Sequence, residues 1–203
     1  MKNELMIDIE TTGTSAGCKV LSLGAYGISK TGEEVEFYCQ FDVEKMEEDG
    51  LRDDESTMKF WEKQGQEAID EAFSGKTDPA TGIGEFKHWF ITNFSTDYAE
   101  RFKVWSCGID FDFPILKYFF AQYGYGELWP FWTQFDYRTL KNIFHRIKAD
   151  EKNVLKHTAL EDAKAQMRAL QSFYRRLKNE FNIMLDARNL TPDFDVDTLL
   201  GAH

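Results

Sequence analysis

Five residues in three short patches have the types and spacing needed to hydrolyse a phosphodiester. They are Asp8 and Glu10 on either side of Ile9, Asp112 after Phe111, and His157 five residues before Asp162. Four carboxylates can hold a pair of hard divalent cations, and an imidazole can take a proton from water. On a strand, residues two apart point to the same face, so Asp8 and Glu10 project together while Ile7 and Ile9 take the buried side. Two adjacent carboxylates repel, and each raises the other's pKa unless a cation sits between them. Oxygen donors of this kind suit Mg²⁺ or Mn²⁺ rather than zinc. The plain alternative for this patch alone is a strand with a solvated acidic face. Thr11, Thr12 and Gly13 follow directly, offering hydroxyls and a permissive backbone where a nucleotide could approach.

Asp112 falls where a helix should begin, with Pro114 near the first helical position. A helix cap is the simpler role for a lone Asp, and Asp110 competes for it. As a ligand, Asp112 would stand at the C-terminal end of a strand, where α/β sheets form their binding crevices. In the third patch, Thr158-Ala159-Leu160-Glu161 reads as a capping box, with Thr158 as the cap and Glu161 as its reciprocal partner. His157 then precedes the helix and Asp162 is fixed within its first turns. That places a movable base beside a rigid ligand. A surface His–acid ion pair is the alternative reading.

The elements that must position these residues follow from the apolar pattern. Leu5–Ile9 reads as a buried strand, Val20–Ile28 as a second, and a Lys30–Glu33 turn leads to a third. There Val35, Phe37, Cys39 and Phe41 alternate with polar or amphipathic positions. Helices are expected over Ser56–Gln64, Gly65–Phe73 and Gly84–Phe94, with Glu44–Glu55 as a solvated acidic loop. Phe102–Trp105 is a fourth strand followed by a helix to about Tyr123, and Gln134–Tyr137 a fifth followed by a helix over Thr139–Ile147. The last helix should run from Ala159 to about Lys178, its face formed by Leu160, Ala163, Met167, Leu170, Tyr174 and Leu177. A meander followed by strands alternating with helices predicts a mixed α/β sheet covered by helices. The expected organisation is one domain over residues 1–180 and a C-terminal extension over 181–203.

The chain has 203 residues, 42% of them apolar and 29% charged, enough for one well-buried core. No apolar run reaches the length of a membrane span, and neither a signal peptide nor a transmembrane helix is expected. Cys18, Cys39 and Cys107 are odd in number and match no zinc spacing. They fit reduced thiols in a cytoplasmic protein. The net charge of −11 is unevenly spread: residues 1–100 carry 9 Lys+Arg against 22 Asp+Glu, and residues 101–203 carry 15 against 13. Such a chain is poorly equipped to coat many phosphates of a duplex. Gripping a few nucleotides at a strand end is compatible with it, as is recruitment by another protein.

Asp8-x-Glu10, Phe111-Asp112 and His157-x-Ala159-x-x-Asp162 resemble, in order and separation, the three exonuclease motifs of the DnaQ-like DEDDh superfamily. Phe111–Leu116 and the segment Ser56-Thr57…Trp61…Gln64 are similar to small phage exodeoxyribonucleases of the DexA type and to bacterial exoribonuclease domains. The resemblance implies an RNase H-like fold over roughly residues 5–178 and removal of nucleoside 5′-monophosphates from 3′ ends. DNA, in single-stranded form, is the first substrate and RNA the alternative. It further implies two Mg²⁺ ions, replaceable by Mn²⁺, held by Asp8, Glu10, Asp112 and Asp162, with His157 as general base. Trp61 becomes a candidate for stacking on the terminal base, against the simpler role of helix core. Gly108 stands where many relatives carry Asn, which removes any contact by that side chain. Asp136 and Arg138 either support the site or cap a short helix. A homodimer is compatible with the sequence. A catalytically silent domain that binds nucleic acid or protein is the rival from another class, and retention of all five motif residues argues against it.

Overall fold

The computed structural model describes residues 2–143 and 158–187. Its centre is a five-stranded sheet: β1 (Glu4–Thr11), β2 (Val20–Ile28), β3 (Glu34–Gln40), β4 (Lys103–Ser106) and β5 (Gln134–Asp136), in the order β3-β2-β1-β4-β5. β1, β2 and β3 form the expected antiparallel meander, whereas β4 pairs in parallel with both β1 and β5. The helices are α1 (Val43–Glu48), α2 (Glu55–Trp61), α3 (Gln66–Phe73), α4 (Pro79–Asn93), α5 (Asp112–Gln122), α6 (Tyr137–Ile143) and α7 (Ala159–Ala187). This is the mixed, helix-flanked sheet the pattern predicts.

The two-residue period of β1 divides the molecule. Leu5, Ile7 and Ile9 enter one core with Phe41 of the segment after β3, Ile83, Phe86 and Phe90 of α4, and Leu116 and Phe119 of α5. Met6 faces the opposite way, into a second core with Trp105, Tyr137, and Ala163, Met167 and Leu170 of α7. Asp8 and Glu10 share the parity of Met6, so β1 aims both acids at the side that α7 covers. Each large side chain buried in these layers is worth about 1.5–3 kcal/mol, which holds the strand's register firmly.

One glycine sets how closely α7 approaches. A Cβ on Gly24 of β2 would lie 2.2 Å from the Ala159 carbonyl carbon and 2.2 Å from the Leu160 nitrogen. Gly24 is the register partner of Asp8. The first turn of α7 therefore sits directly on the sheet beside Asp8, and no residue with a side chain would allow it.

Three expectations are corrected. Glu44–Glu55 is not a solvated loop: α1 forms within it, capped by Asp42, whose carboxylate accepts from Glu44 N and Lys45 N. Two acids of this segment, Glu47 and Asp53, pair with the buried Lys19 at 2.9 and 3.1 Å. Met46 and Leu51 of the same segment are buried in the main core, which anchors it to the fold. The last helix does not end at Lys178 but continues to Ala187. α4 begins at Pro79, five residues early, because Asp78 caps it and proline suits a first turn. Residues 188–203 of the expected extension lie outside the described residues. No described helix is long and apolar enough to cross a membrane.

Candidate active site

Carboxylate oxygens of Asp8, Glu10 and Asp162 lie within 4.8 Å of one another. β1 supplies the first two and the start of α7 the third, where Asp162 N donates to Thr158 O at 3.0 Å. Asp112 stands beside them as the first residue of α5, 3% exposed. It is not the helix cap: Phe111 occupies the cap position, and no side chain caps the turn. The Asp112 carboxylate is thus left to the site.

The electrostatics are those of a crowded anionic nest. Burial holds Asp8 well above the usual carboxylate range, and neighbouring Asp112 and Glu10 push it further. Glu10 is raised to about 7 by burial and by the charges of Asp162 and Asp112. Asp112 also rises to about 7 through burial, opposed by the nearby Ser106 hydroxyl and by the Arg138 guanidinium. Four acids so placed cannot all ionise cheaply without a counter-charge. Their all-oxygen donor set fits hard divalent cations of the Mg²⁺ or Mn²⁺ class.

Gln166, four residues after Asp162 on α7, donates from Nε2 to Asp8 Oδ1 at 2.9 Å and fixes that carboxylate. The motifs give no sign of it, although a residue one helical turn beyond Asp162 shares its face. Thr158 departs from the capping-box reading. Its hydroxyl is buried with no hydrogen-bond partner among the described residues, and Glu161 instead accepts from Lys164. His157, the expected base, lies outside the described residues.

The expected substrate-binding residues do other work. The Thr11 hydroxyl donates to Gly13 O at 2.7 Å, and the Thr12 hydroxyl accepts from Lys19 N at 3.3 Å, both within a buried loop. Gly13 is required by packing, since a Cβ there would lie 2.7 Å from that of Cys18. Trp61 is 2% exposed, packed against Leu21 and Ala72, and its Nε1 donates to Thr11 O at 2.9 Å. It offers no free face for a base; it pins the end of β1 that carries Asp8 and Glu10. Asp136 is a helix cap, accepting from Arg138 N and Thr139 N at the start of α6.

The family model described as the Rv2179c-like 3′–5′ exoribonuclease domain matches residues 3–174. The chain belongs to that family. That family places it in the DnaQ-like 3′–5′ exonuclease superfamily. No curated protein sequence matches this chain.

Solved structures share the fold of this Rv2179c-like domain at low identity. One is E. coli exonuclease I in complex with a dT13 oligonucleotide, at TM-score 0.61 and 12% identity over 91% of this chain and 43% of that one. The same enzyme with a dA16 oligonucleotide gives 0.59 and 15%, over 92% and 43%. An ExoI/SSB-Ct complex gives 0.60 and 13%, over 92% and 44%. The domain spans less than half the length of these exonuclease I chains.

Proposed function

We propose that this domain removes nucleotides one at a time from the 3′ end of single-stranded nucleic acid, releasing nucleoside 5′-monophosphates. The observation that carries the reading is the gathering of Asp8, Glu10 and Asp162 within 4.8 Å, beside a buried Asp112, from three distant parts of the chain. Asp8, Glu10, Asp112 and Asp162 are suited to hold two divalent cations, Mg²⁺ or in its place Mn²⁺. Bound there, such ions supply Lewis-acid activation of water and relief of charge on the phosphate and leaving oxygen. Gln166 holds Asp8 in one orientation. His157 is the proposed general base, because an imidazole of reference pKa about 6.5 can accept the proton of water near neutral pH.

The family's description as an exoribonuclease supports RNA as the substrate ahead of DNA. DNA remains the second reading, carried by the similarity of Phe111–Leu116 to phage exodeoxyribonucleases. The test incubates 5′-labelled single-stranded RNA and DNA, and a free mononucleotide, with Mg²⁺, Mn²⁺ or chelator. The expected result is a 3′-shortened RNA ladder, nucleoside 5′-monophosphate as product, slower loss of DNA, and no reaction with chelator. Release of inorganic phosphate from the mononucleotide with the strands left intact would make the domain a phosphatase instead.

A further inference from the structure

Among the described residues, Arg138 is the cation whose charge acts on the Asp112 carboxylate. It stands in the first turn of α6, just past the C-terminal end of β5, the strand beside β4. Its Nη2 donates to Cys107 O at 2.6 Å. Its guanidinium lies across Gly108, where a Cβ would meet Nη2 at 2.9 Å and Nη1 at 3.5 Å. Gly108 has φ of +139°, and its carbonyl accepts from Phe111 N at 2.8 Å and Asp112 N at 3.2 Å. The arginine thus lies on the loop that presents Asp112. The Cys107 thiol is pushed up by burial, opposed by Arg138 and assisted by the charge of Asp8.

Next to an acidic nest, an arginine ordinarily forms an ion pair. Arg138 makes none among the described residues, and its side chain is held by a backbone carbonyl. Five N–H donors are available in a guanidinium, arranged as a fork that matches phosphate oxygens. On the reading that two divalent cations occupy the site, their charge cancels that of four carboxylates. The phosphodiester then brings one negative charge with no counter-charge of its own.

We infer that Arg138 is a phosphate-binding residue of this site, its guanidinium taking an anionic oxygen of the terminal nucleotide at the rim beside Asp112. The glycine at 108 is part of the device, because a side chain there would occupy the space the guanidinium uses. This inference rests on the proposed exonuclease reading and names the group that grips the substrate's phosphate.

The test measures binding of uridine 5′-monophosphate and of uridine to the full chain in Ca²⁺, beside turnover of a 5′-labelled oligoribonucleotide in Mg²⁺. Wild type should prefer the monophosphate. Arg138→Ala should cut that preference at least about tenfold, the worth of one charge-assisted hydrogen bond, while uridine affinity stays within about twofold. Arg138→Lys should restore part of it as a point charge. Equal loss of both ligands, or a preference that survives Arg138→Ala in a protein melting like wild type, overturns the inference. A wild type that shortens no strand yet shows the Arg138-dependent preference overturns the exonuclease reading and leaves the phosphate site standing.

Discussion

At the residue scale, the four acids of the site weaken the ion-free fold, and this makes their role measurable apart from activity. Each charge removed from the nest relieves repulsion and the cost of burying an anion. Asp8→Asn should therefore lower divalent-dependent turnover by at least about 10³-fold while raising the melting temperature of the chelated protein by a few degrees; about 1 kcal/mol corresponds to roughly 2–4 °C in a chain of this size. A melting scan in chelator beside a turnover assay reads both, and a melting point that falls would contradict the repulsive nest. The same physics sets a pH dependence. Glu10 and Asp112 titrate near 7 in the fold, against ordinary values of 4.5 and 3.8. Between about pH 4 and 7 the folded state therefore binds more protons than the unfolded chain, and stability falls as pH rises. Chelated protein should melt at lower temperature at pH 8 than at pH 5.5. Added Mg²⁺ should stabilise it most at pH 8, where ions no longer compete with protons. A Mg²⁺ effect that grows on acidification would exclude these carboxylates as the ligands.

At the scale of elements, the decisive contact is between α7 and β2. Gly24 lets the Ala159–Leu160 backbone rest on the strand opposite Asp8, which brings Asp162 to Glu10. Gly24→Ala places a methyl 2.2 Å from the Ala159 carbonyl carbon, so the helix must lift. Overpacking of this kind costs about 1–3 kcal/mol, and a displacement of an ångström at a reacting centre costs about 10² in rate. Turnover should fall at least about 100-fold in a protein that still folds. Gly65→Ala, which meets nothing within 4 Å, should leave it unchanged. This contact also marks the limit of what the sequence discloses. The parity of β1 and the apolar face of α7 are local periodicities, and they correctly orient Asp8, Glu10 and Asp162. Gly24, Gln166 and the order of Glu44–Glu55 depend on which elements meet in space. A glycine in an apolar strand, a glutamine on a helix and a run of acids carry no local sign of their partners. Trp61 failed as a stacking residue for the same reason: its place in the chain does not disclose that Thr11 O takes its N–H.

At the scale of the whole molecule, charge distribution limits how a strand can be held. The first hundred residues carry an excess of 13 acids, and among the described residues Arg138 is the cation acting on Asp112 of the nest. Affinity for single strands depends on salt with a log–log slope of about −0.7 for each phosphate neutralised by a side chain. An enzyme that grips one to three phosphates should show a slope between about −0.7 and −2, shallow beside that of a protein lined with cations along a groove. The apparent KM for an oligoribonucleotide, measured at fixed Mg²⁺ from low to high salt, checks this. The slope should fall by about 0.7 in Arg138→Ala, because that variant loses one phosphate contact. Weak holding also sets the product pattern: dissociation competes with each cleavage, so excess unlabelled strand should trap the enzyme and freeze a ladder of intermediates. A slope steeper than about −4, or a labelled strand degraded to completion despite the trap, would require a basic track along the strand that the described surface does not supply.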